Sequence, residues 1–160
     1  MREILFRGML SLTKKWIEGN LIISNQGKPY IYPKDLIEQD GHHLIFDTDE
    51  AFWVIPETVG EFTGLLDKNN VRIFEGDLLR KPSKDQYEET SFVLFEVFYH
   101  DENMCDSHIG WQFNRLHFQG NICGHSGWER FRPEYTGNMV VVGNIYDNKD
   151  LLERIGTKNE

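Results

Sequence analysis

Cysteine is scarce: Cys105 and Cys123 are the only two in 160 residues. That rules out a framework of several disulfides, and two thiols in a reducing compartment are most simply free. Long apolar runs are missing as well, since nothing approaches the ~18 consecutive residues of a membrane span. Met1-Arg2-Glu3-Ile4-Leu5-Phe6-Arg7 lacks the apolar core and small-residue cleavage site of a secretory signal. The expected location is therefore the cytoplasm, with no membrane partner. Positive charge is in deficit too, with 17 Lys and Arg against 26 Asp and Glu and a formal net charge of −9. The deficit is spread along the chain: residues 1–66 carry 6 basic and 10 acidic side chains, residues 67–160 carry 11 and 16. An acidic balance in both halves disfavours tight, sequence-independent binding to phosphates.

Recognisable catalytic patterns are also wanting. Gly124-His125-Ser126-Gly127 resembles a nucleophile elbow only in part, because Trp128 stands where the elbow requires a second glycine. Glu75 with Asp77, and Asp47 with Asp49, could bind Mg²⁺ or run acid–base chemistry. Both pairs fall in turns, where such residues serve solvation and capping. Cys105-x2-His108 has the spacing of a zinc-ligand pair, whereas Cys123-x-His125 is one residue too tight. Free cysteines and surface histidines are the simpler reading, so neither metal nor cofactor is expected and the chain is not expected to be an enzyme. No repeat or low-complexity segment interrupts it.

What is present points to strands. Aromatic residues make up 13%, with 11 Phe, 6 Tyr and 4 Trp, and these favour pleated, half-buried surfaces. A chain of this length buries roughly 70% of its unfolded surface, enough for a core without metal or disulfides. Two-residue alternation recurs throughout. A first strand is expected around Ile4 and Phe6. A tight hairpin is expected where Gly19-Asn20 separates Lys15–Glu18 from Leu21–Ser24. Tyr30–Tyr32, Leu44–Phe46 and Phe52–Ile55 are further extended pieces, with a helical turn at Lys34–Glu38, and Pro56 ends the last of those strands.

Further on, Asp67-Lys68-Asn69-Asn70 is a polar turn leading into Val71–Phe74. Gly76 marks a bend before Leu78–Lys81, and Pro82–Ser91 reads as a mobile loop. Phe92–Tyr99 is apolar at almost every position, as expected of a central strand covered on both sides, with Glu96 inside it. A carboxylate there needs a partner, and Arg115, on the alternating strand Trp111–Arg115, is the expected one. Met139–Ile145 is the last strand. Asp147 or Asn148 can cap a closing helix that carries Leu151, Leu152 and Ile155 and stops at Gly156.

Three segments together resemble one family. The opening Met1–Arg7 is similar to its usual start. The block Val54-Ile55-Pro56-Glu57-Thr58-Val59-Gly60-Glu61-Phe62-Thr63-Gly64-Leu65, running on through Asp67–Asn70 to Ile73-Phe74-Glu75-Gly76-Asp77-Leu78, carries its most distinctive signature. The close, Val142-Gly143-Asn144-Ile145-Tyr146-Asp147-Asn148-Lys149-Asp150-Leu151-Leu152, is similar to its ending. On these residues the chain resembles the YopX-like proteins of bacteriophages and prophages. Asn70 replaces the usual turn glycine and Lys149 the usual proline before the helix; neither change is costly, since Asn tolerates positive φ and a proline at the first helical position is dispensable. The resemblance implies a mainly β fold for residues 1–160 as one domain: an N-terminal β region over 1–66, an SH3-like barrel or roll over 67–147, and a short terminal helix over 148–156. It attaches no biochemical activity and no catalytic residue. The shared glycines and apolar positions read as bends and core.

The segment 107–133 is locally basic within an acidic chain. Arg115, Arg130 and Arg132 outnumber Glu129 and interleave with Trp111, Phe113, Phe118, Trp128 and Phe131. Alternation places half of these rings in the core, the commonest fate of Trp and Phe, while arginine beside exposed aromatic rings serves protein hot spots and base stacking alike. Arg115, Trp128, Arg130, Phe131 and Arg132 are therefore the candidate partner-binding residues. The expected role is that of a non-enzymatic phage or prophage accessory protein in the bacterial host cytoplasm. Its expected partner is a protein, with self-association as one form. Two alternatives stand beside it: a nucleic-acid-binding face at 111–132, which the net charge disfavours, and an acidic inhibitor of a host DNA-binding protein.

Overall fold

A computed structural model describes residues 3–33, 52–82, 92–101, 109–118, 129–130 and 136–156; for His117, Phe118, Glu129, Arg130, Leu151 and 154–156 it describes the backbone alone. Among them run β1 (Phe6–Met9), β2 (Trp16–Ile23), β3 (Pro29–Tyr32), β4 (Gly60–Leu66), β5 (Arg72–Phe74), β6 (Asp77–Pro82), β7 (Phe92–His100), β8 (Gly110–Phe118), β9 (Glu129–Arg130) and β10 (Val140–Asn144), followed by helix α1 (Lys149–Gly156). The fold is mainly β, as the alternation predicts. The strands form two five-stranded sheets, in the orders β3-β2-β1-β4-β5 and β10-β6-β7-β8-β9. Neither order closes on itself among the described strands. The chain divides into two compact units, Met1–Gly64 and Leu65–Glu160.

In the first unit, β2 is flanked by β1 and β3. This corrects the expected hairpin at Gly19-Asn20, because β2 runs straight through that dipeptide. Gly19 lies opposite Phe6 of β1, while Asn20 lies opposite Tyr32 of β3. Gly19 serves close approach instead of a turn: a Cβ there would strike the backbone carbonyl of Tyr32. The reversals lie elsewhere. One joins Leu10 to Lys15, with Lys14 at φ 58°. The other joins Ser24 to Lys28, with Gly27 at φ 77°. The first strand also begins later than expected, and Leu5 is buried while Ile4 is 61% exposed.

A 3-10 turn at Pro56–Thr58 follows Trp53 and Val54, which bridge to Tyr30 and Leu10. Thr58 fastens this turn to β1. Its hydroxyl donates to the Ile55 carbonyl at 2.7 Å and accepts from the Met9 N–H at 2.9 Å. The expected strand Leu44–Phe46 and the helical turn Lys34–Glu38 lie outside the described residues, as does 83–91 of the expected loop.

The second unit holds the larger described core: Ile73, Leu79, Phe95, Val97, Phe113 and Met139 are buried together. β7 is the middle strand of its sheet. Both its faces are covered along most of its length, Phe95 and Val97 on one side, Leu94 and His100 on the other. This matches its near-continuous apolar sequence.

The partner proposed for Glu96 needs correction. The β7–β8 register shifts between Leu94 and Phe95, so Glu96 faces Asn114 and Phe95 faces Arg115. Directly opposed residues share a sheet face and their neighbours point the other way. Glu96 therefore accepts from the Asn114 Nδ2 at 3.2 Å. Arg115, on the other face, lies over the Phe95 ring at 5.9 Å from its centroid.

Candidate binding surface

The signature residues come first, because their side chains decide what chemistry the family motif leaves available. Asp67 is buried and its carboxylate is fully engaged with backbone. Oδ1 accepts from the Asn69 N–H at 2.7 Å and the Val71 N–H at 2.9 Å. Oδ2 accepts from the Val141 N–H at 3.0 Å. Asn70 completes the turn at φ 63°, the positive angle that its identity tolerates.

The closing motif is a second knot. The Asn144 Oδ1 accepts from the N–H groups of Tyr146 and Asp147, both at 2.9 Å, while its Nδ2 donates to the Asp147 carboxylate at 2.9 Å. The Asn144 N–H donates to the Asn148 Oδ1 at 3.0 Å. Both expected helix caps, Asp147 and Asn148, thus hold the end of β10. Gly76, at φ 78°, donates its N–H to the Val97 carbonyl at 2.8 Å, and its own carbonyl accepts from the Ile145 N–H at 2.9 Å. A side chain there would be strained by that angle and would press on the Tyr146 ring 3.2 Å away. Asp77, beside it, accepts from the Phe74 N–H at 2.8 Å. The side chains of Asp67, Asp77 and Asn144 are thus tied to backbone at turns and strand ends.

A different part of the second unit presents surface. β7 and β8 lie side by side, and their adjoining ends carry Tyr99 opposite Trp111, with Ile109 just ahead of β8. Tyr99 is 45% and Ile109 66% exposed. Trp111 packs with its inner part on the buried core, and its ring meets that of Tyr99 edge-on, centroids 5.1 Å apart. The result is an anchored apolar surface, one ring held by the core and its neighbours in water.

The residues expected to bind a partner fare unevenly. Arg115 is on β8, half-buried over Phe95. Arg130 is in β9, its backbone opposite Gln112. Trp128, Phe131 and Arg132 lie outside the described residues, as do Cys105, His108, Cys123 and His125. Among the described residues no three His, Cys, Asp or Glu side chains gather as a metal site, and no helix is long and apolar enough to cross a membrane. Sequence reasoning missed Tyr99 and Ile109. No pattern marks them, because alternation does not tell where a sheet stops and an apolar run meets solvent.

The chain is thus a two-sheet antiparallel β-protein in which a polar turn and an asparagine knot lock strand ends. The family model described as YopX protein matches residues 5–153, and the chain belongs to the YopX family. No curated protein matches it.

Proposed function

We propose that this YopX-family chain is a non-enzymatic accessory protein of a phage or prophage, acting in the bacterial host cytoplasm by binding another protein. One observation carries the reading: the Tyr99–Ile109–Trp111 surface, apolar, aromatic and partly anchored, is of the kind that protein contacts use. The structural employment of Asp67, Asn144 and Asp77 supports it, because it removes the most conspicuous polar groups of the signature from the list of reactive ones. An SH3-like roll is the finer description we favour for residues 67–147, on the strength of the register shifts in β7–β8 and β6–β10, which bend strands as small rolls require.

The test is recovery of partners from the native host during infection with the wild-type chain and with a Tyr99→Ala/Ile109→Ser variant. Loss of one protein from the variant's eluate supports the reading. Equal recovery by both overturns it, as does a salt-sensitive nucleic-acid complex with no protein partner, the outcome expected of the Arg–aromatic alternative.

A further inference from the structure

We infer that the first unit carries a site for single-stranded nucleic acid, built from Trp16, Trp53, Lys14, Lys15 and Lys28. Alternation sorts this unit into two faces. Ile31 and Val54 are fully buried, and a Cβ at Gly8 would meet both at 3.0 Å, so these three residues point inward. Directly opposed residues share a face and their neighbours along the chain take the other. Val54 bridges to Leu10, which puts Trp53 and Met9 on the outward face. Trp16 lies opposite Met9 and joins them there. The backbone holds both tryptophans at one end of the unit. The Trp53 carbonyl accepts from the Ser11 N–H at 2.9 Å, and the Leu10 N–H donates to the Lys15 carbonyl at 2.9 Å. Trp53 is half-buried with its Nε1 out of reach of water, so what solvent meets is the remainder of its ring.

Positive charge gathers at the same end. Lys14 and Lys15 stand in the turn that leads into Trp16, and the Lys28 ammonium lies over the Trp53 ring, 4.9 Å from its centroid. All three lysines are exposed, and among the described residues none has a carboxylate partner. Arg7 differs: its guanidinium lies over the Trp16 ring at 5.0 Å, and Glu18 stands opposite it to offset its charge. In a chain of net charge −9, three uncompensated cations beside two outward indoles complement one class of ligand, with phosphates for the ammonium groups and flat bases for the rings. A duplex hides its bases in the stack, so the indoles select a single strand. An acidic peptide meets the lysines without needing the indoles.

The experiment titrates the full chain with a labelled oligothymidylate, followed by anisotropy and by quenching of tryptophan fluorescence, at several salt concentrations. Three phosphate contacts on a single strand give log K a slope of about −2 against log salt, an affinity loss of about twentyfold between roughly 50 and 200 mM. Lys14→Ala/Lys28→Ala removes two of those contacts without touching the core, and its slope is expected to shrink to about −0.7. An abasic strand of equal charge is expected to bind more weakly than the oligothymidylate and to quench less, because it brings nothing to stack. No binding at low salt overturns the inference, as does a complex that Lys14→Ala/Lys28→Ala leaves unchanged. Equal binding of the abasic strand overturns it too, since that is the behaviour of charge alone. A complex lost in Arg130→Ala/Arg132→Ala and kept in the lysine variant overturns it in favour of the Arg–aromatic segment. The proposed protein contact at Tyr99 belongs to the other unit and is read by partner recovery, so either idea can fail alone.

Discussion

Asn144 concentrates several backbone needs in one side chain, which makes it the residue whose loss should be felt most for its size. Asn144→Ala removes the acceptor for two N–H groups and the donor to Asp147. Each partly buried group left unmet costs about 1–3 kcal/mol. A loss of about 2–3 kcal/mol is expected after partial rescue by water, read as a lower urea midpoint at unchanged slope. Glu96 gives a second prediction at this scale. Because it bonds Asn114 and not Arg115, a double-mutant cycle should find coupling of about 0.5–1 kcal/mol between positions 96 and 114. Between 96 and 115 it should find coupling near zero. A strong 96–115 term would mean that the register assigned to β7 and β8 is wrong. The sequence could say that a carboxylate in this strand needs a partner. It could not say which, because a one-residue register shift moves the partner to the other face and leaves no mark in the alternation.

Strands and turns were legible wherever one physical cause had one outcome. β5, β6, β7, β8, β10 and α1 fall where alternation, the Asp67–Asn70 turn and the terminal apolar stripe put them. Gly19 shows the limit. Glycine between apolar runs suits a hairpin, yet it equally permits another backbone to come close, and only the neighbouring strand distinguishes the two. The second use is tested by Gly19→Ala. Its φ is not in the left-handed region, so an alanine meets no torsional strain and any cost comes from the Tyr32 carbonyl. Backbone cannot rotate aside as a side chain can, so destabilisation of about 1–3 kcal/mol is expected, with faster exchange at Tyr32 and Tyr30. A neutral substitution would restore the hairpin reading. For the proposed surface, the sequence pattern drew attention to β8 through Arg115 and its aromatic neighbours. It missed the strand end beside it, because burial at the end of an apolar run depends on where the sheet stops.

At the scale of the whole molecule, a net charge of −9 sets the terms on which any partner is met. Like charges repel another acidic protein at long range, and salt screens that repulsion, with a Debye length of about 10 Å at 0.1 M. The contact proposed at Tyr99, Ile109 and Trp111 rests on apolar burial, which salt does not weaken. The complex should therefore survive an increase to about 0.5 M salt, where screening is nearly complete. Binding through arginines to nucleic acid would fall steeply over the same range, by several decades for six or more phosphate contacts. The Tyr99→Ala/Ile109→Ser variant sharpens the distinction. Ile109 is mostly exposed and Tyr99 about half, so the chief loss is the Tyr99–Trp111 ring pair and stability should fall by no more than about 1.5 kcal/mol. Retention of the partner should meanwhile drop at low and high salt alike. A variant that unfolds would show those side chains to be core, and one that binds normally but loses its partner at high salt would move the interface to charge.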